Sequence, residues 1–195
     1  MNRLLPCVLA AALLSACAGG QRPAEPVRFD LGAVTSGAAW PLPLAAIEVQ
    51  AASWLSATSM HYRLAYAEPL RRQSYSESRW AAPPAELLES FLKRRQGNAD
   101  AGGLGCRLQL SLDEFEQHFE DAHSSRTVLE ARAVLLPARG SDMLARRSFR
   151  ILKPAVTADA RGGAAAASAA ALALADELGA WTGGMDSAVV TRCRN

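Results

Sequence analysis

Neither sign of charge dominates this chain of 195 residues, in which 21 basic side chains face 19 acidic ones. A protein that grips nucleic acid through its phosphates needs a lopsided basic surface, so that class is excluded. Histidine is scarce, at three residues, and the sequence has no Gly-x-Ser-x-Gly elbow, glycine-rich phosphate loop or His-Glu-x-x-His pair. Ser76 and Ser78 flank Glu77, yet nothing nearby supplies the base that a serine nucleophile needs. Neither an enzyme nor a cofactor is expected from these residues. A long apolar run is missing too. Residues 4–14, behind Arg3, are too few to span a bilayer, and the alanine-rich stretch 161–176 is too short and too weakly apolar. What remains is 50% apolar and 21% charged residues, the balance of one globular domain with a single core rather than a disordered chain.

The most informative stretch is the start. A basic residue followed by a short apolar run reads as a secretory leader, and it ends in Leu14, Ser15, Ala16 and Cys17, the order of a lipobox. Small residues let an extended backbone enter a narrow peptidase site, and the Cys17 thiol takes the diacylglyceryl group. The alternative is a generic cleaved leader with a chance cysteine. The reading is a bacterial lipoprotein, with a signal peptide over 1–16, and Cys7 leaves with that peptide. Ala18 follows the lipidated cysteine, and the lack of an acidic residue there favours the outer membrane, facing the periplasm, over retention at the inner membrane. Several acyl chains hold far more firmly than one. Residues 17–26 then form a tether rich in proline and glycine.

Two cysteines survive processing, Cys106 and Cys193, in a compartment oxidising enough to pair them. Sequence separation leaves their distance open. If bonded, they tie the tail, 183–195, to a central strand.

Within the folded part, 27–31 and 45–50 read as early strands. Residues 60–66 alternate in polarity, turn at Glu68 and Pro69, and pair with 73–78 as a hairpin. Pro83 and Pro84 suit a first helical turn; Leu87, Leu88, Phe91 and Leu92 then share one face, and Lys93, Arg94 and Arg95 suit the C-terminal dipole. After a glycine-rich break over 97–105, Leu108, Leu110 and Leu112 alternate with polar residues as a half-buried strand does. Phe115 and Phe119 are out of phase with those leucines, and a bulge near Asp113 and Glu114 restores them. Strands over 126–136 and 144–153 complete a meander. An alanine-rich helix over 157–181 carries Leu174, Leu178 and Trp181 on one side. The order of elements predicts an α/β domain with a mixed β-sheet packed with helices.

Tyr75, Arg79, Trp80, Ala81, Pro83, Pro84, Leu87, Leu88 and Leu92 resemble the element "Y…RWA.PP..LL…L" of the ABC-type transport auxiliary lipoproteins, the PqiC-like family. Leu108, Leu110, Leu112, Asp113, Glu114, Phe115, Gln117 and Phe119 resemble its second element, and the resemblance runs over 27–181, leaving 182–195 as a tail. It implies a fold like the TolB N-terminal α/β sandwich. It also implies a lipid-anchored accessory component of a mammalian-cell-entry (MCE) type ABC transport system for phospholipid or other hydrophobic substrates. The partners would be an MCE-domain protein, a permease and an ATPase, with a homo-oligomer left open. The first strand departs from the family, with Arg28, Phe29 and Asp30 where tyrosines are usual. A freestanding structural or assembly lipoprotein of the outer membrane is the other reading.

Arg79 and Trp80 are the candidates for a partner-facing surface, since both types are enriched at interface hot spots. The structural alternative has Trp80 covering the helix start and Arg79 paired with a carboxylate. Glu114, Glu116, Glu120, Asp121, His118 and His123 have the composition of a metal cluster but the wrong spacing, and read as a solvated acidic edge. Arg139, Arg146, Arg147, Arg150 and Lys153 form a basic strand region, expected to pair with that acidic strand across the sheet rather than contact anionic headgroups or a partner.

Overall fold

The computed structural model describes residues 25–33, 40–96 and 105–194. The leader with Cys7, the lipobox with Cys17 and most of the glycine-rich break lie outside the described residues.

In chain order the strands are β1 (Val27–Phe29), β2 (Leu44–Ala51), β3 (Ser59–Leu64), β4 (Arg72–Trp80), β5 (Cys106–Phe119), β6 (Ser125–Leu136) and β7 (Ala145–Pro154). The helices are α1 (Pro84–Gln96), α2 (Ala160–Gly183) and α3 (Ser187–Arg194). The strands form one mixed sheet in the order β1-β4-β3-β5-β6-β7, with β2 also on β5. The expected α/β architecture is present.

The long β5 organises the sheet. One of its edges pairs antiparallel with β6 along its length, and β6 pairs with β7 in the same sense, which is the predicted meander. Its other edge is shared in succession. Parallel β2 runs beside 106–112, and parallel β3 beside 117–119. The predicted hairpin joins β3 to β4, and β1 lies parallel to β4 at the outer edge. Between the two stretches of shared edge, the β5–β6 register shifts at Leu112 and Glu114. Cys106, Leu108, Leu110 and Leu112 are buried before the shift, and Phe115, Gln117 and Phe119 after it. The extra residue therefore returns the phenylalanines to the core face, as their phase in the sequence predicts.

Helix α1 opens at Pro84, whose missing N–H costs nothing in a first turn, and Leu88, Phe91 and Leu92 are buried. Glu89 on the same helix accepts the Val49 N–H at 2.9 Å, satisfying a donor on the side of β2 away from β5. Helix α2 is capped by Asp159, which accepts from the Gly162 N–H at 2.7 Å. Ala164, Ala167, Ala171, Leu174 and Leu178 recur every three or four residues and are buried. Small side chains along this face let the helix approach the sheet closely, and Trp181 closes its far end edge-on to Phe149, with ring centroids 6.0 Å apart.

The segment read as a tail contains helix α3. Cys193 on it is joined by a disulfide to Cys106 at the head of β5, with the Cα atoms 4.6 Å apart and both residues buried. Gly105, just before the bond, has a φ of +144°, and a Cβ there would meet the Pro43 carbonyl oxygen and Ala45 nitrogen at 2.8 Å.

Candidate functional site

Trp80 is a core residue. It ends β4 with 4% of its surface exposed, and its ring lies 5.3 Å from that of Phe115. Arg79 is the adjacent residue on the strand, so its side chain leaves from the opposite face. Its guanidinium donates back to the carbonyl oxygens of Tyr75 and Ser78 rather than to a carboxylate. The pair expected as a partner-facing patch is divided between the core and the opposite face of the sheet.

The two sequence elements that carry the family resemblance meet beneath α2. The Tyr75 hydroxyl donates to Gln117 Oε1 at 2.9 Å, and burial, followed by the nearby Tyr62, pushes its pKa up. The other half of the Gln117 amide donates to Ser125 Oγ at 2.7 Å and to the Asp159 carbonyl at 3.2 Å. Thr127 donates to the Gly163 carbonyl at 3.1 Å. A Cβ on Gly163 would strike the Gln117 amide, so the absence of a side chain sets how closely α2 can seat. The crevice left between Met60, Trp80, Phe115 and Gln117 is about 10 Å³, room for about one water.

The opposite face of the sheet carries a charged cluster that the sequence reading placed wrongly. Glu116 is buried, because β5 is an interior strand and not an edge. Its Oε1 accepts from Arg63 Nε at 2.9 Å and lies 2.6 Å from His118 Nε2, while Oε2 accepts from Arg72 Nε at 2.8 Å. Burial pushes the Glu116 carboxyl up, but the hydrogen bonds from His118, Arg72 and Arg63 outweigh it and hold the pKa at about 2. Arg72 also grips Glu114 through both oxygens, at 2.8 and 2.6 Å, and stacks 4.9 Å from the Trp54 ring. Burial and the Glu116 charge together raise Glu114 despite that grip. His123 lies in the following turn, its N–H donating to Asp121. Among the described residues no three metal-ligating side chains converge. Alternation of Glu114, Glu116 and His118 on one face was visible in the sequence. The arginines that meet them, from β3 and β4, were not identified.

The basic strand pairs otherwise than expected. β7 neighbours β6 and never reaches the acidic part of β5. Arg150 pairs with Glu130 at 2.8 Å, and Arg132 of β6 with Asp113 at 2.7 Å. Arg146 borders an open groove on this exposed face with Ser111, Arg132, Val134, Met143 and Ser148, while the Arg147 guanidinium lies on the other face over the Phe149 ring. Among the described residues no helix is long and apolar enough to cross a membrane.

No family model and no curated protein matches the chain. Solved structures do. An uncharacterized protein shares 11% identity at a TM-score of 0.59, over 80% of this chain and 98% of that one. Protein XCC0632 from Xanthomonas campestris, of the family DUF330, gives a TM-score of 0.65 with 23% identity, covering 81% of this chain and 94% of that one. The chain described here is thus similar in fold to a DUF330 protein over nearly that protein's whole length.

Proposed function

We propose that this chain is a lipid-anchored periplasmic accessory component of an MCE-type ABC transport system for phospholipid or another hydrophobic substrate, held at the outer membrane through Cys17. The observation that carries this reading is the meeting of the two resemblance elements: Tyr75 with Gln117, and Trp80 with Phe115. Residues that looked like separate motifs form one packed unit, and the fold around them is similar to that of a DUF330 protein. The role is placement. An anchor in one leaflet raises the local concentration of the domain beside a transporter, so a modest interface suffices. ATP hydrolysis belongs to another subunit in this scheme.

The test is copurification of the chain from crosslinked envelopes. Recovery of an MCE-domain protein together with a permease and an ATPase supports the proposal. Recovery of only barrel proteins or peptidoglycan factors replaces it with a freestanding structural role.

A further inference from the structure

The exposed face of the sheet is divided by charge. Arg63 and Arg72 use up Glu114 and Glu116 at the β3–β5 end, and Arg132 and Arg150 are neutralised by Asp113 and Glu130. Arg146 is left with no carboxylate in ion-pair range among the described residues; its neighbour Arg147 leaves from the other face of the strand and lies 5.2 Å from the Phe149 ring. Arg146 edges a groove of about 510 Å³ that also offers the hydroxyls of Ser111 and Ser148, the guanidinium of Arg132, and apolar surface from Val134 and Met143, the latter 53% exposed.

Unneutralised guanidinium, hydroxyl donors and an apolar flank in one groove suit an anion joined to a hydrophobic body. We propose that this groove binds the phosphate of an anionic phospholipid headgroup, with Arg146 as its principal contact. An acidic peptide would satisfy the charge but leave the Met143 and Val134 surface unused. Reach is compatible, a point that rests on the Cys17 anchor. Residues 17–26, fully extended, cover roughly 35 Å. The sheet from β1, where the chain enters, to β7 is about 24 Å wide at ~4.8 Å per strand. An anchored domain can therefore turn the groove toward the surface that holds its own lipid.

Native mass spectrometry of the full-length product, released from membranes in detergent and titrated with phosphatidylglycerol or phosphatidylcholine, tests this. The expected result is at least a tenfold preference for phosphatidylglycerol. Arg146→Glu abolishes it, whereas Arg94→Glu, the same charge change on exposed α1, leaves it intact. Equal losses in the two variants, or equal binding of the two lipids, overturn the proposal. So does displacement by inorganic phosphate or by a polyglutamate peptide, either of which reassigns the groove to a free anion or an acidic partner. The mass of the unbound chain reports acylation of Cys17 separately, so failure of the anchor and failure of the groove are distinguishable.

Discussion

The side-chain oxygen of Gln117 accepts the Tyr75 hydroxyl directly beneath Gly163, in the space where any other residue would put its first carbon. One amide thereby joins β4, β5, β6 and the start of α2. Replacing Gly163 with alanine forces that amide or the helix to move. The expected cost is about 1–3 kcal/mol, read as a lower denaturation midpoint at unchanged slope. Unchanged stability would show that α2 shifts freely, contrary to the packing described.

Glu116 provides the pH prediction. Its carboxyl sits at about 2 in the folded protein against about 4.3 in an unfolded chain. Its pairing therefore stabilises the fold fully above that unfolded value, and the contribution is lost as pH falls toward the folded one. Glu116→Gln leaves two arginines facing a neutral group, at a cost of roughly 3 kcal/mol at neutral pH. The variant should also lose less stability than the parent between about pH 4.5 and pH 2. Parallel pH–stability curves for the two proteins would refute the assignment.

Reduction of the Cys106–Cys193 bond releases α3 from the head of β5. The bond closes a separation of 87 residues, and its loss should lower stability by about 2–4 kcal/mol. Limited proteolysis under reducing conditions is expected to clip 184–194 first. Cutting elsewhere before the C-terminal segment would mean that α3 docks without the bond.

Trp80→Ala empties a large buried volume and should cost about 3–5 kcal/mol, with any loss of partner copurification following the loss of folded protein. Arg79→Ala is expected to be much milder, because this side chain satisfies only carbonyls of its own strand. A folded Trp80→Ala protein that has lost its partner would restore the surface role the sequence first suggested.

Cys17→Ser removes the sulfur that takes the lipid. Intact-mass analysis of the envelope fraction should show no acylated product, and complementation should fail. Normal acylation or full complementation in the variant would contradict the anchor.

The sequence made the β5 bulge legible because an aromatic pair out of phase with a leucine ladder has one local remedy. The hairpin and both long helices were legible for a similar reason: alternation, prolines and alanine content act over short distances. The sharing of one β5 edge by β2 and β3 was not legible, since parallel pairing leaves no turn between its partners. The burial of Glu116 was hidden for a related reason. Alternating charge on a strand reads as solvent exposure until the arginines of β3 and β4 are brought alongside. Trp80 misled in the opposite direction, because a tryptophan beside an arginine has the composition of an interface whichever way it points.

The irregularity between Leu112 and Glu114 works as a phase boundary in the chain. Upstream and downstream of it, odd and even positions exchange roles, so one interior strand can serve two parallel neighbours while keeping a continuous greasy side. Were the strand to run on regularly through that point with every residue kept, each half would be locally well formed and mutually incompatible: aromatic rings would turn to water and glutamates toward the helices.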